Sequence, residues 1–171
     1  MGLEELFGRI EKRFGKEAVV GNDIKVDTVS SGSMALDEIL GGGFALGRIH
    51  EIYGGFSSGK SSAALHLSAS VQKTLGKAVG YVDTEQALDL EYAKALGVDL
   101  SRDKWIMSQP DSAEQALEIV REMLEVSEIG LVVLDSVAGL VPEAVLQGEA
   151  GDAKIALVAR LMSQQLRILK N

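Results

Sequence analysis

Cysteine is absent from the sequence, so neither a disulfide framework nor a thiolate zinc site is possible. Apolar runs are short. None reaches the ~18 residues that a membrane span needs, and no membrane partner is expected. The opening stretch, Met1–Lys16, mixes acids with bases and lacks the apolar core of a secretory signal; the absence of cysteine fits a cytoplasmic location, which is expected. A basic excess is missing as well: the net charge is −8. Nucleic-acid binding usually leaves a basic footprint, so this balance speaks against it unless a local patch supplies one. What remains is an ordinary globular composition, 46% hydrophobic and 25% charged over 171 residues, enough for one domain with a sizeable core.

Leu3, Leu6, Phe7, Ile10 and Phe14 form one apolar stripe at helical spacing. The helix precedes an irregular stretch, Gly21–Ser33, and so reads as an arm, its stripe packing either on its own domain or on a neighbouring subunit. A short helix over Ser33–Leu40 leads into the glycine turn Gly41–Gly43. Strands are predicted over Arg48–Tyr53, Ala78–Asp83, Trp105–Ser108 and Leu131–Leu134. Helices are predicted from Ser61 to about Leu75, near Leu90–Leu96, and along the stripe Ala113, Ala116, Leu117, Val120 and Leu124. The uninterrupted apolar run Leu131–Leu134 suits burial on both faces of a sheet. A loop rich in Glu, Gly and Asp, Glu143–Asp152, precedes a last helix from about Lys154 to Asn171. Alternating strands and helices imply an α/β fold, a mainly parallel sheet with helices on both faces.

Gly54-Gly55-Phe56-Ser57-Ser58-Gly59-Lys60-Ser61 matches G-x-x-x-x-G-K-[ST] at every fixed position, between a predicted strand and a predicted helix. Glycines let the backbone curl until several N–H groups face phosphate oxygens. The following helix aims its N-terminal dipole at the same anion. In such a loop Lys60 reaches the β- and γ-phosphates and the Ser61 hydroxyl ligates Mg²⁺. Asp135 ends an apolar strand, which suits either a magnesium-site acid or a cap of the following segment. Asp83 and Glu85 end another strand, at the edge where open α/β sheets bind ligands. One of these acids can orient a water for attack on the γ-phosphate, or serve as a cap.

Taken together, these motifs resemble the bacterial RecA family. The resemblance is carried by Ser31-Gly32-Ser33, Leu36-Asp37, Gly47-Arg48-Ile49, Glu51–Gly54, Ser57–Ser61, Asp83–Asp89, Tyr92-Ala93, Leu96–Asp99 and Ser108–Asp111. It continues through Glu114–Glu118, Val133–Ala138, Gly148–Asp152 and Ala159–Gln164. It implies a P-loop ATPase core over 33–171, preceded by an arm and linker over 1–32 that dock on an adjacent protomer. ATP and Mg²⁺ are the implied cofactors. Gly54 to Ser62, with Asp89 and Tyr92, are the implied nucleotide contacts, Tyr92 by stacking on adenine. Lys60 and Glu85 are the implied catalytic residues, Glu85 by activating water. Ser61 and Asp135 are the implied metal ligands. The Glu143–Asp152 region resembles a first DNA-binding loop.

On the last helix Arg160, Ser163, Gln164 and Arg167 form a polar stripe, with Leu157, Val158, Leu161, Met162 and Leu169 mainly opposite. The resemblance implies that Arg160, Ser163 and Arg167 contact single-stranded DNA, such contacts setting register without reading sequence. It also implies a homo-oligomeric helical filament that performs ATP-dependent homologous pairing and strand exchange in recombination and repair. Alternatives are a fragment that keeps only nucleotide or partner binding, or a phage recombinase of the same kind. Phe56, Gln86 and Ser61 depart from residues familiar at those places. In the family a further strand follows this last helix and inserts between the Arg48–Tyr53 and Leu131–Leu134 strands. Without that C-terminal part of the core, 171 residues are expected to be inactive alone.

Overall fold

The computed structural model describes residues 2–19, 25–148 and 154–169. The arm stripe forms α1, Leu3–Phe14, with no buried residue. Leu3 and Phe14 are 71% and 66% exposed. Among the described residues the stripe is therefore not covered by its own domain. The predicted short helix is α2, Met34–Leu40, ended by Gly41 in the left-handed region that glycine adopts without penalty. A small antiparallel pair flanks it: β1, Thr28–Val29, with β2, Phe44–Ala45. Two residues per strand give no readable alternation, so the sequence pattern does not announce this pair. The side chain of Asp37 ties the region together. It accepts from the Ser30 hydroxyl at 2.5 Å and the Ser31 N–H at 2.7 Å, bonds that hold its carboxyl below the ordinary value.

Among the described residues the main sheet has three parallel strands in the order β4-β3-β5: β3 is Ala78–Asp83, β4 Trp105–Ser108 and β5 Ile129–Asp135. Every residue of β3 is buried, as a central strand requires. Its register with β5 pairs Tyr81 with Val133 and Asp83 with Asp135. Odd and even positions face opposite sides. Val79 and Tyr81 join Leu131 and Val133 in one core cluster with Leu65, Leu67 and Val71 of α3, Lys60–Leu75. Val82 joins Val132 and Leu134 in a second cluster with Ala113, Ala116 and Val120 of α5, Ala113–Leu124. Helices thus cover both faces, as expected. Each fully buried Leu side chain contributes roughly 2 kcal/mol of transfer free energy.

The predicted α5 stripe needs one change: Met123 is buried and Leu124 is 52% exposed. Met123 lies over Gly80, where an added Cβ would stand 2.6 Å from its sulfur. The α4 helix, Leu90–Ala95, lies where expected. In the predicted Glu143–Asp152 loop the first residues form a one-turn helix, α6, Glu143–Leu146. Residues 149–152 lie outside the described ones, as does Asn171. The last helix is α7, Lys154–Leu169.

One predicted strand is not formed. Among the described residues Arg48–Tyr53 has no ladder partner, and Ile49, Ile52 and Tyr53 are 57%, 41% and 86% exposed. An apolar run specifies a face to bury, but a strand also needs a neighbour for its N–H and C=O groups. The free edge of β5 does not pair with this segment. Accordingly β5 is half-buried along its length rather than enclosed on both sides.

Candidate nucleotide site

The glycine-rich loop runs from the unpaired 48–53 segment into the N-terminus of α3. Ser57 and Gly59 have φ of 55° and 88°, the left-handed turns that swing successive N–H groups to one side. No side chain caps α3 at Gly59, and no acid lies in its first turn. The first intrahelical bond is donated by the Ala63 N–H to the Gly59 carbonyl at 2.8 Å. The preceding N–H groups of Lys60, Ser61 and Ser62 therefore present a positive, acceptor-seeking end. Lys60 Nζ curls back over the loop and donates to the Gly54 and Gly55 carbonyls at 3.2 and 2.9 Å. Its ammonium sits above the loop's opening segment. Phe56, at the crest, is fully exposed.

Asp89 and Tyr92 arrive on α4. Asp89 caps that helix, accepting from the Tyr92 N–H at 3.0 Å. The Tyr92 hydroxyl donates to Ser62 Oγ at 3.1 Å, which brings the half-exposed ring to the first turn of α3.

The acids stand at the C-terminal ends of β3 and β5. Asp83 is 3% exposed and accepts from the Ala87 N–H at 3.4 Å, the Leu88 N–H at 3.1 Å and Gln109 Nε2 at 3.1 Å. A buried carboxylate needs such donors, and these shape the turn after β3. Glu85 is exposed on that turn and accepts from the Ser136 hydroxyl. Thr84 joins the two strand ends. Its Oγ1 donates to the Ser136 carbonyl at 2.7 Å and accepts from the Ser136 N–H at 2.9 Å. Asp135 Oδ2 accepts from the Tyr81 hydroxyl at 2.7 Å. Burial, then the bond to Asp135, push the Tyr81 hydroxyl far above its ordinary value, so it stays protonated and donating. Asp135 continues the Leu131 and Val133 face of β5, the side that α3 covers. Tyr81, Thr84, Gln109 and Ser136 carry no readable sequence signal for these roles, because each pairs across the sheet's end at long sequence separation.

Further along the chain, α7 shows the expected division. Val158, Leu161 and Met162 pack against the second core cluster, while Arg160, Ser163, Gln164 and Arg167 are exposed. Leu169 lies beyond the described side chains.

A parallel α/β sheet covered on both faces, with an uncapped glycine-rich turn at a helix start, defines a class: open α/β domains with carboxylates at the strands' C-terminal edge. The chain belongs to the RecA N-terminal domain family, whose model matches residues 2–171. It is 52% identical to Protein RecA of Latilactobacillus sakei subsp. sakei (strain 23K) over 98% of this chain and 48% of that protein. It is 49% identical to Protein RecA of Nostoc punctiforme (strain ATCC 29133 / PCC 73102) over 96% of this chain and 46% of that protein. The chain thus spans about half the length of the curated relatives it matches. Among the described residues no helix is long and apolar enough to cross a membrane.

Proposed function

We propose that this chain is the nucleotide-binding portion of a cytoplasmic, ATP-dependent DNA recombinase that pairs and exchanges homologous strands on single-stranded DNA as a helical filament. The observation that carries the reading is the uncapped, acid-free start of α3, wrapped by the Gly54–Ser61 turn with Lys60 above it. That arrangement suits the phosphates of ATP: N–H groups and an ammonium converge where a polyanion is favoured. Ser61 and Asp135 supply hard oxygen donors that suit Mg²⁺, which binds through few protein ligands and keeps phosphate and water oxygens around it. When bound, the ion neutralises charge on the transferring phosphoryl group.

The protein's own residues have distinct tasks in this reading. Gly54 to Ser62 cradle the phosphates, and Tyr92 with Asp89 flanks the base. Glu85, exposed and oriented by Ser136, takes up the proton of an attacking water. Arg160, Ser163 and Arg167 lie on the exposed side of α7 and offer phosphate contacts despite the acidic net charge. Membership of the RecA N-terminal domain family supports DNA as the partner, and the exposed α1 stripe supports docking between protomers.

The test is ATP binding and hydrolysis by the chain, with and without single-stranded DNA, using Lys60→Ala as the blank. Loss of ATP binding in Lys60→Ala supports the nucleotide site. Equal binding by both proteins refutes it. DNA-stimulated turnover shows that these residues suffice for the chemistry, whereas binding without turnover leaves the chain as the portion that holds nucleotide.

A further inference from the structure

The Tyr81 hydroxyl is buried at the heart of the molecule yet lies 2.7 Å from Asp135 Oδ2. Its ring is fixed on the other side by Trp105, with centroids 5.2 Å apart and planes tilted by 30°. Tyr81 is fully buried and sits two residues before Asp83 on the central strand. No other donor among the described residues bonds the Asp135 side chain. The phenol therefore fixes one carboxylate oxygen, Oδ2, and leaves the other without a donor among the described residues.

We propose that Tyr81 is a positioning residue for the metal site. By holding Oδ2 of Asp135, it turns the other carboxylate oxygen toward the start of α3, where a phosphate-bound divalent cation would be met. This deepens the nucleotide-site reading above and rests on it. The physical reason is that a carboxylate on a free single bond rotates, and a fixed donor to one oxygen removes that freedom. Outer partners of metal-binding carboxylates act in this way, and losing one typically costs about 10–100-fold in metal affinity. The buried ring stacked on Trp105 makes the donor itself immobile, so the constraint passes from the core to the edge of the sheet.

Tyr81→Phe keeps the ring and removes only the hydroxyl. The experiment measures ATP binding by calorimetry, first in EDTA and then across a magnesium titration, for the wild-type chain, Tyr81→Phe, Asp135→Asn and the double variant. The expected result is unchanged ATP affinity in EDTA and a magnesium midpoint about tenfold higher for Tyr81→Phe. The double variant should match Asp135→Asn alone, because the hydroxyl acts only through that carboxylate. Superimposable magnesium titrations for wild type and Tyr81→Phe overturn the proposal. So does an equal loss of ATP affinity in EDTA, or a Tyr81→Phe chain without native far-UV circular dichroism, since either assigns the bond to folding. A wild-type chain that binds no ATP under any condition sinks the nucleotide-site reading first, and this inference with it.

Discussion

Gly139 is the tightest point where the two acid-bearing strand ends meet. A Cβ added there would stand 2.5 Å from Thr84 Oγ1, 3.0 Å from Glu85 Cγ and 3.1 Å from the Thr84 carbonyl. The backbone of Gly139 is not left-handed, so the requirement is space rather than conformation. Thr84 Oγ1 cannot swing aside freely, being held by the Ser136 N–H at 2.9 Å and the Ser136 carbonyl at 2.7 Å. Releasing it breaks two hydrogen bonds of about 0.5–1.5 kcal/mol each, so Gly139→Ala should destabilise by about 1–3 kcal/mol. Gly80→Ala is the matched control. Its Cβ would meet Met123 Sδ at 2.6 Å, the mobile end of a flexible side chain, and should cost less. Urea unfolding of both variants gives the comparison. Thr84→Ala should then cost less in the Gly139→Ala background than alone, by about 1 kcal/mol, because it removes the clashing oxygen. Additive costs within about 0.5 kcal/mol would show that the Thr84 clamp is not what excludes a side chain at 139.

Two further outcomes follow from other parts of the molecule. Asp37 is held below its ordinary value of 3.8 by the side-chain bonds to Ser30 and Ser31. The unfolded chain thus binds the proton first, so the stability Asp37 contributes is full above 3.8 and is lost as pH falls below it. Asp37→Asn should flatten the acid limb of a stability–pH profile in that window, and an unchanged limb would discount these bonds. On α7, Arg160→Glu should weaken single-stranded DNA binding across sequences alike and reduce the salt slope by about 0.7 for each phosphate no longer neutralised. Fluorescence anisotropy at several salt concentrations measures both, and an unaltered slope would remove Arg160 from the interface.

The elements that can be read from sequence are those whose signal is local. Ala78–Asp83 and Trp105–Ser108 appear with the predicted bounds, because a strand inside a covered sheet shows as an apolar run. The loop at Gly54–Ser61 is legible since its geometry depends on residue type at fixed spacing. Arg48–Tyr53 reads as a strand and does not form one, because its composition reports burial propensity while pairing depends on what lies beside it. The β1–β2 pair escapes notice because two residues cannot show a period. The bonds from Tyr81 to Asp135 and from Gln109 to Asp83 span separations that no periodicity encodes. They become visible only once the parallel register sets Tyr81 beside Val133 and Asp83 beside Asp135.

The hydrogen bonds also separate Asp83, which ends β3, from Glu85 two residues on; position in the sequence alone leaves the two open, and the family resemblance picks Glu85. Asp83 points into the protein and is 3% exposed, with three donors shaping the following turn. A carboxylate so engaged has its oxygens committed to holding the turn. Glu85 lies beyond the strand, exposed, with the Ser136 hydroxyl as its partner. Gln109 fixes Asp83, Asp83 fixes the turn, and the turn presents Glu85 beside the end of β5. The two acids are therefore parts of one arrangement in which the buried member sets the position of the exposed one. Replacing Gln109 by Ala should accordingly disturb Glu85 without touching it: nucleotide affinity should hold while any turnover falls, and the reverse pattern would break this chain of support.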